Sequence, residues 1–164
     1  VKSLTNPSSQ SPQSLDPQWK SILEAASIEV FEMMLGARFE LIPDSTDEPR
    51  GQQTAMVGMA GALCGMATIR CSNSLAMKCA SLMLGGDAAT NPGTIKDALG
   101  ELCNMVAGNF KAKISTLADR CMLSVPTVIT GEDYSMETAE PSERVIVALT
   151  YEGETIWVAL TVHS

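Results

Sequence analysis

Residues 97–111 read DALGELCNMVAGNFK, and on a helix at about 100° per residue this stretch divides cleanly into two faces. Leu99, Leu102, Cys103, Val106 and Phe110 fall within one arc. Asp97, Glu101, Asn104, Gly108 and Lys111 gather on the other side. The apolar arc requires a core beneath it. The second face sets a carboxylate and a carboxamide one turn apart, with a residue lacking a side chain one turn further on.

Working outward, the helix is expected to begin at Thr94, where Thr94 and Asp97 make a capping-box-like start after an NPG turn at 91–93, and to run to about Leu117. A shorter helix, NSLAMKCASLML at 73–84, precedes it. Leu75, Cys79, Leu82 and Met83 are expected to face inward there, and Gly85 and Gly86 stop it. A first long helix starts with Asp16 as cap and Pro17 in its first turn, carries Trp19, Ile22, Leu23, Ala26, Val30, Met33 and Met34 at helical spacing, and ends at Gly36.

Strand patterns fill the intervals. ARFELI (37–42) is short and is halted by Pro43 and a polar loop. TAMVGMAG and ALCGMATIRCS meet around Gly61 as an antiparallel pair. CMLSVPTVIT (121–130) contains Pro126, which requires an edge position or a bulge. RVIVALTY and TIWVALTV, joined through Glu152 and Gly153, have hairpin composition.

The order helix, strand, polar loop, hairpin therefore occurs twice. The expected fold is α+β: a six-stranded, mainly antiparallel sheet with two long helices packed on it, a shorter connecting helix, and an internal pseudo-twofold repeat. Residues 1–16, with six Ser or Thr, two Gln and two Pro, read as a flexible tail, and 17–164 as one domain.

Composition narrows the function. A net charge of −8 disfavours nucleic acid and anionic membrane surfaces as partners. The chain has no apolar run of about eighteen residues and no signal-peptide layout at its start, so a cytoplasmic protein is expected. Five cysteines form no CxxC pair and four of them lie among apolar neighbours, so they read as small buried hydrophobes, and the single histidine, His163, argues against His-based metal sites and catalytic triads. Aromatics are only 4% of residues, so the ten methionines are expected to fill much of the interior. Asp44, Asp47 and Glu48 read as a solvated loop, and no metal site is expected.

The segment D-x-x-x-E-x-x-N-x-x-x-G, formed by Asp97, Glu101, Asn104 and Gly108, resembles the signature of the CheC/CheX/FliY family, phosphatases of the chemotaxis response regulator CheY. With the surrounding elements the resemblance extends over about residues 18–163. It implies that Glu101 pairs with a lysine of a phosphorylated CheY-like receiver domain, and that Asn104 positions the water attacking the aspartyl phosphate. No cofactor is expected on this chain, with Mg2+ held by the receiver. Gly108 would let the partner approach the helix backbone, or would serve close packing inside the domain. Asp97 adds a docking charge or complements the helix dipole.

Aligning Glu24 with Glu101 sets Ser27 and Phe31 opposite Asn104 and Gly108, which leaves the first helix without a matching site. One site per chain resembles the CheX type, whose members are dimers, so a homodimer is compatible with the resemblance. The alternative reading is a non-catalytic CheC-like module that binds a receiver or a flagellar switch component through the same face.

Overall fold

The computed structural model describes residues 15–45, 52–86, 91–132, 134, 137 and 141–163. Residues 1–14 of the expected tail at 1–16, and the acidic residues Asp47 and Glu48, lie outside them. The elements are α1 (Gln18–Leu35), β1 (Glu40–Ile42), β2 (Gln53–Gly61), β3 (Gly65–Cys71), α2 (Asn73–Leu84), α3 (Pro92–Ala112), β4 (Cys121–Leu123), β5 (Thr127–Thr130), β6 (Ser142–Tyr151) and β7 (Glu154–His163).

All strand pairings are antiparallel, in the order β1-β6-β7-β3-β2-β4, with β5 also on β2. Exchanging β1 with β4–β5, β2 with β6 and β3 with β7 reverses this order without changing it, which is the pseudo-twofold expected from the repeat. Each half lends its first strand to the other half's hairpin. The expected six strands become seven because 121–130 is interrupted.

Strand residues alternate in their facing. Ala55, Val57, Ala67, Ile69, Ile156, Val158 and Leu160 are all buried and share the core with the helices. The helices are amphipathic, so each covers the sheet with one stripe: α1 packs on α3 and β6, and α3 on β2 and β3. Trp19 meets Phe110 edge-on with ring centroids 6.0 Å apart, and Phe39 stacks on Tyr151 at 4.8 Å. The Glu152–Gly153 turn has both residues at positive φ, the two-residue geometry that suits the twist of a hairpin.

Several expectations need correction. The methionines are mostly peripheral: Met59 is buried, whereas Met33, Met77 and Met122 are exposed, and Ala, Leu, Val, Ile and Phe fill the core instead. Leu82 of α2 points outward, because Leu75, Ala76, Cys79 and Ala80 already form its inner stripe. Helix α1 begins one place beyond Pro17, although the Asp16 carboxylate still accepts the Gln18 amide at 2.9 Å.

Helix α3 starts earlier than expected. Asn91 is its cap, accepting the Gly93 amide at 2.9 Å, and Pro92 occupies the first turn, where its missing N–H costs nothing. It also ends earlier, at Ala112. Tight turns follow, with Leu117 N–H bonded to Ile114 O and Arg120 N–H to Leu117 O, and they place Leu117 inward as a continued helix would. Lys111 Nζ donates to Ala118 O and Cys121 O, both at 2.8 Å, so this side chain belongs to the fold and not to the outward stripe.

Candidate functional site

The inner face of α3 fixes the outer one. Leu99, Leu102, Cys103, Val106 and Phe110 are all buried, as the two-faced pattern requires. The Cys103 thiol reaches Ala67 O at 3.6 Å and Ala55 O at 3.7 Å on the neighbouring strands β3 and β2, and burial pushes its pKa up to about 12. It is a packing group and not a nucleophile. At the C-terminal end, Lys113 and Asn109 of this segment both reach the Glu29 carboxylate of α1, Lys113 at 2.8 Å. Its hydrogen bond holds Glu29 below the usual carboxylate value.

With that face anchored, Asp97 and Glu101 are exposed, and Asn104 and Gly108 are half-buried on the outward stripe. Among the described residues, no side chain hydrogen-bonds or ion-pairs with Asp97, Glu101 or Asn104. Residues three apart on a helix are neighbours, about 5–6 Å between Cβ atoms, so the carboxylate and the amide can enter one small pocket on a partner.

The neighbour of this stripe is the interrupted edge strand. Met59 pairs with Leu123 and Met56 with Thr127, so three steps along β2 face four along the edge, which is a β-bulge at 124–126. Gly61 sets where the edge begins: a Cβ there, at φ +122°, would lie 2.2 Å from Arg120 O. Pro126 packs on Gly100, where a Cβ would come within 3.3 Å of the proline Cβ. Gly100 and Val125 escape motif reading, and the signal for both was Pro126 inside a strand pattern. Together Lys96, Asp97, Gly100, Glu101, Val125, Pro126 and Val128 line a groove of about 440 Å³. A larger concavity, about 630 Å³, lies elsewhere, between α2 and the β6–β7 turn. A shallow groove beside a free acid and amide suits a protein surface better than an enclosed small molecule.

Close packing inside the domain, one of the two reasons that the sequence offered for Gly108, does not hold. An added Cβ would meet just Leu123 Cδ1, at 3.9 Å, an ordinary contact, so internal packing does not require glycine. Gly108→Ala is therefore expected to raise stability by about 0.5–1 kcal/mol from helix propensity, read as a higher urea midpoint. It is also expected to weaken any partner that rests on the helix backbone.

The repeat alignment needs a one-residue shift. Ser27 and Phe31 are fully buried, Ser27 bonding its hydroxyl to Leu23 O, so neither corresponds to the outward Asn104 or Gly108. Superposing the buried stripes (23, 26, 27, 30 and 31 on 99, 102, 103, 106 and 107) sets Ala25 and Ile28 opposite Glu101 and Asn104. That face of α1 carries neither an acid nor an amide at the two positions.

The sequence pattern of the family described as chemotaxis phosphatase CheX matches residues 53–150, more than half of the chain and all of α3. The chain belongs to the CheX family. The CheY-P phosphatase CheX of Thermotoga maritima is 30% identical over 84 residues, which are 51% of this chain and 54% of that protein, so the chain spans about half the length of the curated relative it matches. Among solved structures, the chemotaxis protein CheX of Vibrio vulnificus has a TM-score of 0.76 at 18% identity, covering 92% of this chain and 100% of that one. The CheX of Borrelia burgdorferi, solved as a CheX–CheY–BeF3–Mg2+ complex, has a TM-score of 0.78 at 22% identity, covering 89% and 98%. These likenesses establish the CheX fold.

Proposed function

We propose that this chain accelerates hydrolysis of the aspartyl phosphate on a CheY-like receiver domain, with Glu101 and Asn104 as the residues that act on it. The observation that carries the reading is the outward stripe of α3. In a CheX-family chain it presents a carboxylate and an amide one turn apart, free of side-chain partners among the described residues and held by a buried inner face.

Water attacks phosphorus, the bond to the aspartyl oxygen breaks, and the products are a free carboxylate and inorganic phosphate. Little covalent help is needed, because holding the water in line and offsetting charge are most of the catalysis. The Asn104 amide accepts a hydrogen bond from that water without bringing a negative charge beside the phosphoryl group. Glu101 pairs with a receiver lysine and fixes the approach, Asp97 adds a docking charge, and Gly108 leaves room for the receiver against the helix. Magnesium belongs to the receiver, which supports the reading that this chain needs no metal of its own. A receiver substrate would place the chain in the cytoplasm.

The test is phosphate release from a receiver charged by a small-molecule phosphodonor. Release that rises in proportion to the amount of this chain, at less than one chain per receiver, is the expected result. A receiver that binds the chain and keeps its phosphoryl group at the intrinsic rate would mark an interaction module instead.

A further inference from the structure

The most exposed large hydrophobic residue among those described is Val125, at 85%, on the interrupted edge beside α3. Met122, 77% exposed, pairs with Ala60 and points to the opposite face of the sheet from Leu123. An edge strand with uncovered apolar side chains is a liability that folds usually blunt with charge. Here the exposure is built in. Ser124 exchanges two hydrogen bonds with Gly58, its N–H to Gly58 O at 2.9 Å and the Gly58 N–H to its Oγ at 2.8 Å, while Pro126 is held on Gly100. Between these two fixed points the extra residue of the bulge, Val125, is turned outward.

Its position matters as much as its exposure. Leu123 is the neighbour of Gly108 and Pro126 the neighbour of Gly100, so the edge runs alongside α3 over the turns that carry Glu101 and Asn104. Val125 and Glu101 are opposite walls of one groove. A surface that takes up Glu101 through this groove also meets Val125.

We propose that Val125, with Pro126, is the apolar half of the receiver-docking surface, meeting an apolar patch next to the receiver's phosphorylation pocket. The inference rests on the phosphatase reading above. Division of labour follows from the chemistry: the acid and amide select the charged pocket, and the desolvated apolar contact beside them holds the complex together. The occupant is the receiver because the groove is continuous with the two polar groups that enter it. A second copy of this chain pairing along the edge is the rival.

The experiment uses Val125→Asp and Met122→Asp. Both sites are exposed, so both variants should retain the wild-type fold by circular dichroism. Affinity for the receiver loaded with beryllium fluoride is measured by calorimetry, together with KM and kcat for phosphate release and the oligomeric state by sedimentation. The expected result for Val125→Asp is at least a tenfold loss of affinity and a matching rise in KM, with kcat within about twofold of wild type. Met122→Asp, an equally exposed edge site on the opposite face of the sheet, should leave affinity and KM near wild type, and a loss as large as that of Val125→Asp overturns the proposal. Unchanged affinity in Val125→Asp overturns the proposal, as does a change of oligomeric state without a change of affinity. Affinity is read without turnover, so the docking surface and the phosphatase reading fail separately: wild-type chain that binds the loaded receiver without releasing phosphate defeats only the latter.

Discussion

Asn104→Ala reduces receiver dephosphorylation by on the order of 100-fold, toward the rate of the receiver alone, while KM and receiver affinity stay near wild type. On the proposed mechanism the amide holds the water, and removing it leaves the proposed docking contacts of Glu101 and Val125 in place. Stability moves the other way. Asn104 is half-buried without a partner among the described residues, and alanine is the better helix former by about 0.5 kcal/mol, so the variant melts at the same temperature or slightly higher. Activity lost at undiminished stability separates a working amide from a solvated helix face. Steady-state phosphate release and thermal melting of the same preparation check both halves of the prediction.

Phe110→Ala has the largest expected effect on the fold. The ring is 1% exposed at the end of the α3 inner arc and receives the edge of Trp19 from α1. Deleting it leaves a cavity at the α1–α3 contact, which costs about 3–5 kcal/mol, against a typical total stability of 5–15 kcal/mol. A urea titration reports this as a much lower midpoint. Glu101 and Asn104 are untouched in this variant, so its residual folded fraction retains wild-type turnover per folded molecule.

Phe110 also shows why α3 was readable from its residues. Five apolar positions at helical spacing leave one way to bury them, and the polar stripe is then fixed on the other side. The β6–β7 hairpin was equally plain, because two alternating β-rich runs met at a Glu-Gly turn. Helix ends were less so. Asn91 and Thr94 are both good caps, and only the tertiary setting selects the pair Asn91–Pro92. Past Ala112, turns that place Ile114 and Leu117 three residues apart mimic the helical period, so the pattern ran on after the helix had stopped.

The proposed site was legible in part. Spacing set Glu101 and Asn104 on one helix face, and the resemblance to the CheC/CheX/FliY family gave them their proposed roles. Val125 and Gly100 were not legible, because they meet beside that face through a bulge whose register is a tertiary property. The repeat register misled in a different way: matching Glu24 to Glu101 by residue type ignored that Ser27 satisfies its hydroxyl on its own helix and can be buried like an alanine. The methionines misled because a flexible thioether side chain fits a core and a surface equally well.

The proposed chemistry depends on a neutral amide on the outward face of α3. Phosphate release by Asn104→Asp isolates that dependence, since the side chain keeps its size and its place and gains a negative charge beside the phosphoryl group. Turnover at neutral pH is expected to be no higher than that of Asn104→Ala. Turnover equal to wild type in Asn104→Asp would contradict it.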